Sequence, residues 1–298
     1  MNTENKGLLL GMLGVISFGL TLPATRFVIE HFHPIFIGLG RAVMAGLCAI
    51  LILILFKQPI PSKTQIKQLA LVALGVVLGF PVLSAAAMQT LPASHGGVVL
   101  GVLPLATAAI AVLFTNERPS ISFWLVGSLG SICVIAYSLS QGAGNLQFGD
   151  LLLFAAIVCA AIGYAVGGNL SKQMGGWQVI CWALVITLPF IALPAYIYAP
   201  TEFQTIPTSA FYGFLYLALV SQLFGFFFWY AGLAIGGVTR VSQTQLLQPF
   251  VTIGASAYLL DELIEVRTFG FALAVMIIVA ISKKMPVKTP SNIRRDRE

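Results

Sequence analysis

The chain has 298 residues, 58% of them hydrophobic and 9% charged, whereas an ordinary soluble domain carries about 25% charged residues. That leaves too little polar surface for a water-soluble fold, and apolar runs of about twenty residues, the length that spans a bilayer core, recur from end to end. The net charge of +6 does not point to nucleic acid, because the basic residues form no stripe and six of them lie in the tail from Lys283 to Arg297, suited to anionic lipid headgroups.

The predicted elements are ten transmembrane helices at 7–29, 35–56, 67–89, 95–115, 121–140, 149–170, 178–198, 209–231, 239–260 and 268–283. Lys6 ahead of an apolar stretch is superficially like a secretory leader. The stretch continues past Leu20 to Pro23 without a small-residue cleavage site, and it reads as a retained first helix. On that helix Ser17, Thr21 and Thr25 share one face. Span two opens at Pro34 and carries Arg41 about a turn and a half inside. An arginine at that depth either snorkels to the outer interface, or serves an outer gate or a carboxylate contact. Arg26 and Glu30, nearer the surface, read as interfacial. Span four opens at His95-Gly96-Gly97, where a helix-entry role is preferred over proton transfer, is kinked at Pro104 and ends at Glu117. Span six contributes Tyr164 and Asn169, and span eight places Gln222, Phe226 and Trp229 on one face. Phe224, Phe227 and Phe228 read as core or lipid contacts. Trp229 with Tyr230 stays open between cavity wall and interfacial anchor. Cys48, Cys133, Cys159 and Cys181 fall far apart inside apolar runs and read as small buried hydrophobes, with no metal or disulfide spacing.

Orientation follows from lysine and arginine placement. With the N-terminus inside, Lys6, Lys57, Lys63, Lys67, Arg118, Lys172, Arg240 and the basic tail share the cytoplasmic side, against Arg26, Arg41 and Arg267 outside. Both termini are expected in the cytoplasm.

A shift of 145 residues lays Leu103-Pro104-Leu105 on Gln248-Pro249-Phe250 and Asn116-Glu117 on Asp261-Glu262. Thr107 falls on Thr252 by the same shift, while a shift of 144 carries Gly7 to Gly149 and Gly19 to Gly163. Each half holds five spans, an odd number, so the second enters the membrane from the opposite side. The predicted fold class is therefore an all-α membrane protein of two inverted five-helix repeats, an architecture of secondary transporters. The expected units are 1–140, 141–284 and a basic cytoplasmic tail, 285–298.

With Pro34 through Arg41 opening span two, Pro104 with Glu117 in span four and Pro249 with Glu262 in span nine, the chain resembles the EamA-type members of the drug/metabolite transporter superfamily. The resemblance covers about residues 7–284. It implies export or exchange of small metabolites across the bacterial inner membrane, with spans three, four, eight and nine lining the path, and it names no substrate. The basic tail after span ten is more than the shared unit requires.

Span nine is the most informative segment. Three glutamines, Gln243, Gln245 and Gln248, inside a membrane helix need partners, because an unpaired amide in hydrocarbon is costly. At 100° per residue Ser242, Gln245, Gln248, Thr252 and Ser256 fall within an arc of about 120°, with Gln243 pointing away. Pro249 has no N–H to offer the Gln245 carbonyl, which is expected to be a free acceptor. The stripe reads either as a pathway lining or as polar glue between helices. Its equivalents in span four, Gly97, Leu100, Leu103, Thr107 and Ala111, are nearly all apolar. Val77 and Ser84 likewise stand opposite Gln222 and Trp229, so the second half is expected to supply most recognition groups. The expected substrate pathway is thus Gln245, Gln248, Ser242, Thr252, Gln222, Trp229, Thr21, Tyr164 and Arg41, with helix kinks at Pro104 and Pro249.

No zinc-binding His-Glu-x-x-His, no aspartate-rich diphosphate motif and no serine with a base in an adjoining span is present, so an enzyme is not expected. Nor does the sequence imply a cofactor or a metal. The alternative to a transporter is a membrane receptor or scaffold. The acidic residues lie in loops or near helix ends, which favours an exchanger or facilitator over a carrier with a titratable residue at the membrane centre. The same lack of central charge argues for neutral or zwitterionic ligands, with Glu117 and Asp261-Glu262 doing structural work at water. Expected partners are a small-molecule substrate and the lipid bilayer, not nucleic acid, with a homodimer as the assembly left open.

Overall fold

The computed structural model describes residues 3–114, 118–141, 146–283 and 287–288. In chain order the helical rods are α1 (Asn5–Val28), α2 (Pro34–Leu55), α3 (Lys63–Ala87), α4 (Ala93–Phe114), α5 (Ile121–Gln141), α6 (Phe148–Met174), α7 (Gly176–Ile197), α8 (Thr208–Gly236), α9 (residues 238–259) and α10 (Val266–Lys283). Seven of them, all but α5, α9 and α10, are long and apolar enough to cross a membrane, and α10 holds a shorter apolar stretch, Val266–Ile278. Apart from a two-residue antiparallel bridge of Arg118–Pro119 with Val287–Lys288, the described residues form no sheet. Leu51, Ile54 and Leu55 on α2 and Phe190, Leu193 and Ile197 on α7 are exposed. Such an apolar exterior fits lipid as solvent.

Local chemistry starts and stops the rods. Ser62 accepts from the Gln65 N–H at 3.3 Å while the Gln65 side chain accepts from the Ser62 N–H at 2.9 Å, a reciprocal cap that opens α3. Pro34, whose missing N–H costs nothing in a first turn, opens α2. Gly175 and Gly237, at φ 96° and 84°, end α6 and α8 in a backbone conformation that other residues resist.

Four rods are irregular, and the irregularities are paired. α3 widens into a π-helical stretch at Ala73–Gly79 and α8 at Tyr216–Phe224, while α4 tightens into 3₁₀ geometry at Leu100–Val102 and α9 at Ser242–Leu247. The shift of 145 carries each first-half stretch into its second-half counterpart. In α4 and α9 the cause is proline. Pro104 and Pro249 cannot donate to the residue four back, so the turn before each closes by three-residue bonds, Leu103 N–H to the Leu100 carbonyl and Gln248 N–H to the Gln245 carbonyl. The Gln245 carbonyl is therefore not the free acceptor that a regular helix predicts.

The packing has the same two-fold logic. α2 lies along α7 and α5 along α10, each rod against the one five places later, while α1 along α8 is matched by α6 along α3. Both of the latter contacts rest on small residues. A Cβ on Gly7 would sit 2.7 Å from the Gly236 Cα, and one on Gly75 would sit 2.5 Å from the Cys159 carbonyl oxygen. Without a hydrophobic drive between helices in lipid, such backbone contact is what holds rods together.

Candidate functional site

The π-helical stretches of α3 and α8 meet where α1, α2, α3, α6, α8 and α9 converge around a small closed cavity, with Gln248 of α9 just after its 3₁₀ stretch. Thr21, Arg41, Tyr164, Ser221, Gln222 and Gln248 supply its polar lining, and Phe18, Val76, Phe80 and Phe226 its apolar wall. Five residues singled out in the sequence, Thr21, Arg41, Tyr164, Gln222 and Gln248, are thus brought together from both halves of the chain. The cavity volume is about 10 Å³, the scale of a single water, so the conformation is a closed one.

Arg41 does not snorkel. It is 2% exposed, about two helical turns inside α2, with its Nε lacking a hydrogen-bond partner among the described residues. This corrects the expectation of a centre without formal charge. The hydroxyls of Thr21 and Ser221 pair at 2.9 Å, and the Gln222 amide donates to the Val76 carbonyl at 3.0 Å, joining the two π-helical stretches across the halves. Thr25 donates to the Thr21 carbonyl, and Ser17, half-exposed, donates to that of Leu13.

The α9 stripe divides. In a 3₁₀ turn residues three apart eclipse one another, so Ser242, Gln245 and Gln248 line one edge of α9. Gln248, the innermost, faces the cavity. Gln245 is 1% exposed, and neither polar atom of its side chain has a partner among the described residues, a state costing about 1–3 kcal/mol per buried group. Ser242 bonds the Thr239 carbonyl, Thr252 the Gly19 carbonyl at 2.7 Å, and Ser256 the Thr252 carbonyl. These hydroxyls are consumed by packing. Gln243, off that edge as expected, is nevertheless buried and donates to the Thr239 carbonyl at 3.4 Å.

Trp229 and Tyr230 are fully buried, so neither anchors at an interface. Trp229 stands one layer behind the cavity, edge-on to Phe18 and Tyr164, and Tyr230 donates to the Gly163 carbonyl at 3.0 Å. Phe224 and Phe228 are partly exposed as lipid contacts. Asn169 donates to the Phe114 carbonyl at the end of α4, away from the cavity.

At the other end of α4 a second polar cluster ties the halves. His95 Nε2 and Asp150 Oδ1 are 2.6 Å apart, both buried, and the other Asp150 oxygen accepts from the Gln147 N–H at 3.0 Å. Glu262 accepts from the N–H groups of Ala93 and Ser94 at 2.8 and 3.0 Å, capping α4 from beyond α9. Arg26, Glu30, Asp261 and Glu262 line an open vestibule of about 400 Å³ here, and Arg26 donates to the Met88 carbonyl. Glu117 lies outside the described residues. Nothing in the sequence singles out Ser221 or the burial of Asp150. Their only signals are adjacency to Gln222 and a place in the first turn of a helix.

The sequence model of the EamA-like transporter family matches this chain twice, over residues 5–139 and 147–283. The uncharacterized transporter YdeK of Bacillus subtilis strain 168 is 40% identical over 95% of this chain and 99% of its own length. A probable amino-acid metabolite efflux pump of Salmonella typhimurium is 24% identical over 90% of this chain and 91% of its own. A crystal structure with 14% identity superposes at a TM-score of 0.68 over 94% of this chain and 97% of that one, which bears on fold alone.

Proposed function

The chain belongs to the EamA-like transporter family, a multi-pass membrane protein and not an enzyme, and on that premise we propose that it exports or exchanges small polar or amphipathic metabolites, amino acids and drugs among them, across the bacterial inner membrane by alternating access. The proposed architecture is ten spans in two inverted repeats, 1–140 and 141–284, with the tail 285–298 and both termini in the cytoplasm. The observation that carries this reading is the closed cavity itself. Its lining comes from both halves, and α3 and α8 are irregular there at positions related by the shift of 145. Irregular backbone at membrane depth is tolerated where it lines a binding cavity, and two similar halves can rock about such a site. The name of the Salmonella relative supports amino-acid metabolites as the first panel to try.

Gln248, Gln222, Thr21 and Tyr164 supply donors and acceptors, while Phe18, Phe80 and Phe226 accommodate an apolar portion. Gln245 extends the polar edge along α9. The test is counterflow of labelled amino acids in proteoliposomes loaded with the unlabelled compound. Exchange in the absence of a proton gradient is expected. Binding without any flux would favour the receptor or scaffold reading instead. A periplasm-only reporter active at residue 298 would refute the orientation.

A further inference from the structure

We infer that Arg41 is a carboxylate-binding group and that the substrates of this cavity are small organic carboxylates with an apolar body, an inference that rests on the transport reading and adds the chemical class.

A guanidinium keeps its charge in proteins and is most stable when a planar anion occupies its fork. Arg41 is 2% exposed, lines the cavity, and leaves its Nε without a partner. Among the described residues the salt bridges are His95–Asp150 and Arg267–Glu265, and neither reaches it. Tyr164 shares the cavity lining with Arg41, and the Tyr216 hydroxyl donates elsewhere, to the Ser17 carbonyl at 2.6 Å. A buried cation with no counter-ion among the described residues is expensive. An arginine held for packing could be replaced by an apolar residue at no such cost, whereas one that meets an anionic ligand could not.

The rest of the lining narrows the class. It contains one cation and no lysine or second arginine, which matches a monoanion; a phosphate dianion would leave an uncompensated buried charge. Phe18, Phe80 and Phe226 form the wall against which an apolar body packs. The Gln248 side chain, free of protein hydrogen bonds among the described residues, can bond a further polar group such as an α-amine. An amino acid with an apolar side chain fits all three features, as does a simple arylalkanoate.

The full-length protein is tested in detergent for thermal unfolding and in proteoliposomes for counterflow. The probes are L-phenylalanine and 3-phenylpropionate, each against its primary amide. The wild type is expected to be stabilised by the acids at about tenfold or more lower concentration than by the amides, the scale of one charge-assisted contact. Arg41→Met should abolish that preference, and the empty variant should unfold at a higher temperature than the wild type. Arg41→Lys should keep a weakened preference, and it carries the test if the methionine variant fails to fold. Equal response of the wild type to acids and amides, or no response to either acid, would overturn the inference, as would an Arg41→Met protein that unfolds early yet retains the preference. Counterflow that persists without charge preference would sink this inference and leave the transport reading intact. An acid response that depends on Arg41, with no counterflow, would support the inference and sink the transport reading.

Discussion

α4 and α9 have the same backbone and different chemistry. Each tightens into a 3₁₀ turn just ahead of a proline, Pro104 or Pro249, and the turns fall 145 residues apart. Yet α4 carries Leu100 and Leu103 where α9 carries Gln245 and Gln248, and its own polar groups, His95 and the capped N–H groups of Ala93 and Ser94, gather at one end. Proline imposes geometry by removing a donor, so duplicated prolines reproduce the tightened turn in both halves. Side chains are under no such constraint. One copy holds the halves together while the other presents an amide, Gln248, to the cavity.

The comparison can be broken from its structural side first. His95→Ala leaves the buried Asp150 side chain, among the described residues, with only the Gln147 N–H, and leaving a buried polar group without its partner costs about 1–3 kcal/mol or more. Thermal unfolding should show the largest fall of the set, and an unchanged melting temperature would mean the pair does not tie the halves. Gln245→Leu should act in the opposite sense. It removes two buried groups without partners, so the empty protein should gain up to about 1–3 kcal/mol, read as a higher melting temperature, while counterflow declines. Stability lost on this substitution would make Gln245 a packing residue.

Gln248→Leu tests the innermost amide. It breaks no protein hydrogen bond among the described residues and removes one ligand bond worth about 0.5–1.5 kcal/mol, so half-saturation of counterflow should rise roughly three- to tenfold at equal folded protein. Unchanged affinity with less protein in the membrane would favour the glue reading of the stripe. The smallest effect is expected at Thr252→Val, which loses the bond to the Gly19 carbonyl at about 0.6 kcal/mol, the average for such bonds between membrane helices. Its substrate affinity should match the wild type, and a large affinity change would return Thr252 to the pathway. Gln243 is not the silent control that a regular helix makes it, because it is buried.

The apolar rods and their turns were legible in the residues, as was the loss of a donor at Pro104 and Pro249, since bilayer length and a missing N–H are local constraints. So were Thr21, Arg41, Tyr164, Gln222 and Gln248 as candidates, because polar atoms at membrane depth need a reason. The winding ahead of Pro249 was not legible. It satisfied the Gln245 carbonyl within the chain, because the Gln248 N–H closes the turn by a three-residue bond, which the missing Pro249 N–H permits without dictating. Only the tertiary structure decided that Arg41 turns into the cavity instead of out to an interface, that Trp229 stands behind it, and that His95 finds Asp150 from 55 residues away. Local sequence sets where a polar group sits along its rod. Which partner it meets is set by the packing of distant rods, and in lipid, with no water to satisfy the alternatives, that partner decides between structure and function.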